Sequence, residues 1–182
     1  MRGLKLIALK LWSVEGHIRA HIRIARWLRR NVPVLGKALS MLLDRALLCL
    51  YGIDLTSNSI NIAALSISHP VGVLLGGNGM SSPGRVAIMA GVKFVAHSPS
   101  HEEYLRRHKE QRVFEFGDNV VIGANSVVIG PVRICDNVII GAMSLVNRDI
   151  DEPGIYVGSP ARKISDAISE EWVSHLQGNL KG

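Results

Sequence analysis

Of the side chains able to move protons near neutral pH, the seven histidines stand out. An imidazole with an ordinary pKa of about 6.5 can take a proton from a nucleophile and return it to a leaving group at neutral pH. His69 and His97 fall inside a regular apolar repeat, whereas His101 and His108 lie in a polar stretch and read as solvated. His17, His21 and His175 stand outside the repeat and carry no expected role. Cys49 and Cys135 are far apart and show no metal-ligand or redox spacing, which favours a reducing compartment over a disulfide framework.

The elements that must hold those histidines are legible from periodicity. An apolar residue recurs every six positions at Phe116, Ile122, Val128, Ile134, Ile140 and Val146. Small or apolar residues follow four positions after each, at Val120, Ser126, Val132, Val138, Ser144 and Ile150, and Gly117, Gly123 and Gly141 directly follow members of the first set. A helix drifts around its axis at that spacing, and the pattern outlasts any ordinary strand. A chain that coils and turns a corner every six residues satisfies it, with each apolar position pointing into a prism-shaped core. Composition agrees, since 47% hydrophobic with only 5% aromatic suits a core of stacked Val, Ile and Leu.

The period reappears upstream at Leu55, Ile67 and Val73, and again at Val86 and Val92. The break between these phases falls at Gly76-Gly77-Asn78-Gly79, a turn-rich stretch that reads as a small insertion. A second break, from about His97 to Val113, contains SPSHEEYLRRHKEQR and reads as a loop extruded from the coil. Ahead of the repeat, Ile18, Ile22, Ala25 and Leu28 keep helical spacing beside a stripe of Arg19, Arg23, Arg26 and Arg30. Pro33 and Gly36 punctuate that helix, and a second is predicted from about Lys37 to Leu50. Asp166 to Leu176 reads as a short amphipathic helix capping the open end of the coil. The expected organisation is a helical segment 1–50, a repeat domain 51–164 with the extruded loop 97–113, and a helical tail 165–182.

Charge divides the chain in the same place. Residues through Leu50 hold ten Lys or Arg against only Glu15 and Asp44, while the remainder is slightly acidic. With the basic character confined to the lead-in, no nucleic-acid partner is expected. The arginine stripe reads either as a solvated helix face or as attraction to anionic lipid or a phosphate-bearing substrate. Lys10 interrupts the apolar run Leu4 to Leu11, so no export signal is expected; the run Ala38 to Leu50 contains Asp44 and Arg45 and is too short to span a bilayer. The expected location is cytoplasmic, with peripheral contact at the inner face of the membrane left open.

The hexapeptide repeat resembles that of the left-handed β-helix acyltransferases. This implies a mainly β fold, a left-handed parallel β-helix with an N-terminal helical segment and a short C-terminal helix. The stretch YGIDLTSNSINIAALSISHPVGVLLG resembles the start of the repeat domain in serine acetyltransferases and their relatives acting on polysaccharides. There Asp54 follows Gly-Ile, His69 comes fifteen residues later, and Gly72 precedes Val73, Leu74 and Leu75. The stretch from Val92 to Ile164 is similar instead to galactoside and maltose acetyltransferases, through His97, the charged loop to Arg112, Gly117-Asp118-Asn119-Val120 and the turn Gly158-Ser159-Pro160-Ala161-Arg162. The chain departs from the serine branch in three ways: its helical lead-in is shorter, Val113 stands where those enzymes carry a second His, and Ser68 replaces an acid before His69. These departures direct the expectation to a hydroxyl of a sugar or polysaccharide precursor, with L-serine as the alternative.

The resemblance implies acetyl transfer from acetyl-CoA without a metal, in a homotrimer whose sites lie between subunits. His69 and His97 compete for the role of general base, and Asp54 is assigned to the second ring nitrogen, where it fixes the tautomer and steadies the imidazolium. Ala124 and Ala142 match positions that leave room for a pantetheine arm; Asn147, Arg148 and Arg162 match positions near the nucleotide. Arg148, Arg162 and Lys163 supply charge suited to phosphates. The hexads of His69 and His97 are expected on different faces about one coil apart, so that the two meet from two chains across an interface. A γ-type carbonic anhydrase would need His97, His101 and His108 around zinc, but their spacing within one extruded loop offers no rung-to-rung metal geometry. A non-catalytic scaffold has no need of the Asp54–His69 pair.

Overall fold

The computed structural model describes residues 13–98 and 100–166. From Asp54 onward short strands and corners alternate: β1 (Asp54–Leu55), β2 (Ile60–Ile67), β3 (Leu74–Gly76), β4 (Met80–Ile88), β5 (Lys93–Ala96), β6 (Phe114–Phe116) and β7 (Val120–Ile122). They continue as β8 (Val127–Gly130), β9 (Val132–Ile134), β10 (Val138–Ile140), β11 (Leu145–Val146), β12 (Gly154–Val157) and β13 (Arg162–Ser165). The strands stack as three parallel ladders, one per face. The first runs β1, β3, β5, β8, β11. The second joins the starts of β2 and β4 to β6, β9 and Ile150, and the third joins their ends to β7, β10 and β12. Among the described strands only β13 reverses, folding back antiparallel on β12.

In the later coils Val120 lies opposite Val138, Phe114 opposite Val132 and Val127 opposite Leu145, so one coil takes eighteen residues, or three hexads. All twelve repeat positions from Phe116 to Ile150 point inward, none more than 4% exposed. The two serines among them are satisfied: Ser126 Oγ donates to the Gly141 carbonyl at 2.9 Å, and Ser144 Oγ accepts from Gly158 N–H at 3.1 Å. Phe94 widens the core beneath the excursion, meeting Phe114 and Phe116 edge-on at 5.1 and 5.9 Å.

Two readings of the repeat need correction. Ile67 to Val73 looks like a hexad step, but the hydrogen bonds stack Val73 with Val92, Ser126 and Ser144, while Ile67 stacks with Ile88, Ile122 and Ile140. That corner therefore holds five residues where the later coils hold three. The excursion between β5 and β6 leaves the coil as expected but is not a simple loop, since it carries helix α3 (Glu102–Lys109). His101 caps it by accepting from Glu103 N–H, Glu103 pairs with Arg106 and Arg107, and buried Tyr104 donates to Asn78 Oδ1 at 2.8 Å. Helix α3 is numbered after the two that precede the coil, α1 (Val14–Asn31) and α2 (Leu35–Tyr51), the latter beginning two residues earlier than its predicted start. The tail helix expected over 166–176 lies, beyond Asp166, outside the described residues.

Helix α1 buries Ile18, Ile22 and Ala25 against the coil's first edge, the side on which β2 has no strand neighbour. Gly36 lets α2 turn back closely, because a Cβ there would stand 2.2 Å from the Leu28 carbonyl oxygen. Both acids of the lead-in face the coil. Asp44 accepts from Ser57 N–H and Oγ, and Glu15 accepts from Ser66 and Ser68. His21 is wedged in this joint at 3.8 Å from Asp44, and burial pulls its pKa below the ordinary value, with Asp44 opposing. A lowered pKa for a base stabilises the fold above the unfolded value of about 6.5 and withdraws that contribution as pH falls below it. Thermal melts from pH 8 to pH 5 should therefore show a steeper loss of Tm for the native chain than for His21→Gln; parallel losses would place His21 outside the joint's pH response.

Candidate active site

The corner between the third and first faces carries His69. Its two surplus residues push it outward, and His69 itself adopts φ +54°, a conformation that L side chains rarely take. The imidazole is exposed and has no hydrogen-bond partner among the described residues. The approach to this corner is clamped from outside the repeat. Glu15 Oε1 accepts from Ser66 Oγ at 2.7 Å and Ser68 Oγ at 3.2 Å, while its other oxygen pairs with Arg19 at 3.0 Å. A carboxylate thus stands beside Ser68, at the place where the serine-type pattern has an acid before the His. Sequence spacing gave no sign of Glu15, since it lies more than fifty positions away and outside the repeat.

His97 sits at the other end of the same face. Its N–H donates to the Gly130 carbonyl at 2.7 Å, and its Nδ1 lies 3.0 Å from Ser98 Oγ. His69 and His97 therefore bound the first face at opposite corners one coil apart, rather than lying on different faces. The misplaced Val73 register explains the difference. Five residues of extended chain, roughly 16 Å, separate the two corners, too far for both rings to touch one reacting atom within one chain. Asp54 lies on β1 between buried Ile53 and Leu55, so its side chain points outward on that face, above Leu74 and Lys93. Its backbone N–H donates to the Val73 carbonyl at 2.9 Å, but its carboxylate makes no hydrogen bond or ion pair to His69 or to any other described residue.

The residues matched to the thioester donor divide between the same two corners. Ala124 and Ala142 stack directly, Met143 N–H donating to the Ala124 carbonyl, on the His69 corner below Ala90. Asn147 and Arg148 lie on the His97 corner, where they line a cavity of about 120 Å³ with Arg162 and Lys163 from the returning β13 hairpin. Arg148 and Arg162 are exposed and meet no carboxylate among the described residues. Lys163 differs. It is held by Asp166 at 2.6 Å and Glu152 at 3.0 Å, and those hydrogen bonds raise its pKa well above the ordinary value, so it enters the cavity already paired. A larger groove of about 490 Å³ lies at the opposite end of the coil, between Arg19, Arg23 and Arg26 of α1 and residues 60–65 of β2. Among the described residues, no group of three or more His, Cys, Asp or Glu is placed to hold a metal.

Replacing Glu15 by Ala removes the acceptor shared by Ser66, Ser68 and Arg19, which should cost about 1–3 kcal/mol. Urea denaturation would measure this, and an unchanged midpoint would show the clamp to be idle.

Comparison with known proteins agrees with the repeat and the fold. Residues 115–148 match the bacterial transferase hexapeptide family (six repeats). The chain is 30% identical over 143 residues to a serine acetyltransferase of Synechococcus elongatus, covering 78% of this chain and 53% of that protein. It is 37% identical over 60 residues to a chloramphenicol acetyltransferase of Morganella morganii, covering 33% of this chain and 29% of that one. The fold is that of a solved serine acetyltransferase from Neisseria gonorrhoeae, with a TM-score of 0.71 at 23% identity over 92% of this chain and 61% of that one. The chain spans about half the length of the first of these curated relatives. In repeat, fold and sequence it is similar to the hexapeptide-repeat acetyltransferases.

Proposed function

We propose that the protein is an acetyl-CoA-dependent O-acetyltransferase, with a helical lead-in 1–50, a left-handed β-helix 51–164 and a tail 165–182. The observation that carries the reading is the likeness to serine acetyltransferase across 78% of the chain, set on a coil that presents His69 on a bulged corner. His69 takes the proton of the acceptor hydroxyl as its oxygen attacks the thioester carbonyl, and returns it to the sulfur as the C–S bond breaks. Backbone N–H groups at the corner are suited to the oxyanion. Small residues stacked at Ala90, Ala124 and Ala142 suit the donor's pantetheine arm, and Arg148 and Arg162, which meet no carboxylate among the described residues, suit its phosphates.

Because His97 and the cationic cavity lie a full face away from His69, one chain does not assemble this set. A homotrimer in which the His69 corner of one subunit meets the His97 corner of the next does, and it also offers Asp54 a histidine to orient. The likeness to serine acetyltransferases supports the hydroxyl of L-serine over the sugar hydroxyl that the departures at Ser68 and Val113 suggested. Glu15 beside Ser68 weakens one of those departures by restoring a carboxylate near His69. The sugar reading stays second, favoured by buried Val113 in place of a histidine. The reading places the protein in the cytoplasm, with peripheral contact at the inner face of the membrane through the basic lead-in.

Thiol release from acetyl-CoA, measured against L-serine, free sugars and nucleotide sugars, should show turnover with serine; turnover with a sugar alone would promote the second reading. Mixing His69→Ala with His97→Ala chains should restore part of the activity that each lacks alone, and no recovery would rule out a shared site.

A further inference from the structure

We infer that the outward face of α2 is a docking surface for an anionic lipid bilayer. The inference narrows the peripheral-contact part of the reading above to a particular helix face. On α2, Gly36, Ser40 and Leu47 are buried, and Leu35, Leu39, Met41, Leu42 and Leu50, distributed around the rest of the helix, are all exposed. Leu42 and Leu50 are 71% and 72% exposed, values expected of a lysine rather than of the most apolar of the described helices. Helix α1 adds exposed Ile24 and Trp27. An apolar surface of this extent is unusual on a soluble chain and marks an interaction site.

Charge selects the occupant. Outside the groove that Arg19, Arg23 and Arg26 line with β2, the hairpin 13–51 carries Arg29, Arg30, Lys37 and Arg45 against two acids. Both acids are turned inward, Glu15 onto Ser66 and Ser68 and Asp44 onto Ser57, so the outward surface is apolar and cationic without a carboxylate. A second copy of the same face would bring cation against cation. A bilayer with anionic headgroups offers hydrocarbon to the leucines, phosphate to the arginines and an interfacial level for Trp27. The residues ahead of Ser13 continue the composition, with Arg2, Lys5 and Lys10 among Leu4, Leu6, Ile7, Leu9, Leu11 and Trp12, and no acid. No helix among the described residues is long and apolar enough to cross a membrane, so the contact is with the surface.

The test is sedimentation of the purified full chain with vesicles of phosphatidylcholine alone and of phosphatidylcholine with phosphatidylglycerol at about two to one. The chain should bind the anionic vesicles, bind the neutral ones weakly, and be partly released by salt. Leu39→Glu with Leu42→Glu, both at exposed positions, should lower binding by about tenfold or more, because each removes an apolar side chain from the bilayer and adds a repelled charge. Circular dichroism and acetyl transfer in solution should be retained, so loss of binding with retained transfer separates this surface from the catalytic reading. The inference fails if the native chain ignores anionic vesicles or if the double variant binds as well as the native chain. It also fails if light scattering shows the variant in a smaller assembly, which would make the face a contact between copies.

Discussion

Each coil of this molecule is hydrogen-bonded to the one before it through parallel backbone ladders, and the side chains between those ladders stack in columns that share one core. A buried N–H or carbonyl without a partner costs as much as a lost hydrogen bond, so the coils cannot slip relative to one another. Nor can a strand position be lengthened without breaking three faces at once. Variation is therefore confined to corners and to segments that leave and re-enter in register. The chain uses both: two surplus residues before β3 and a helix-bearing excursion between β5 and β6.

Those two departures carry the histidines with the best claim to chemistry. A bulged corner frees the His69 ring from the stacking that occupies its neighbours and holds its backbone at positive φ. His97 sits where the chain leaves the coil, its N–H still tied to Gly130. The rigid face between them fixes their separation, which is why the proposed site needs two chains. Nothing in the coil can flex to bring the corners together.

The helical lead-in shows a different division of labour. Its carboxylates hold the coil, at the His69 approach and at Ser57 ahead of β2, while Leu35, Leu39, Leu42 and Leu50 are left exposed. One short segment thus steadies the candidate catalytic corner and presents a surface to something outside the chain. Both roles follow from a helix that caps an open edge, since such a helix has one face for the coil and one for whatever lies beyond.

The sequence by itself determined the coil. Residues from Phe116 to Ile150 repeat every six because that is the length of one face, and a local period survives whatever the rest of the chain does. It also marked the lead-in helices, the position of the excursion, and His69 and His97. Tertiary structure alone decided the rest. Ile67 and Val73 are six apart yet belong to different columns, because hydrogen-bond register and not count assigns a residue to a column. Glu15 reaches Ser68 across more than fifty residues through helix docking, and Lys163 is already held by Glu152 and Asp166. Such contacts have no period, because they depend on where two distant segments come to rest in space.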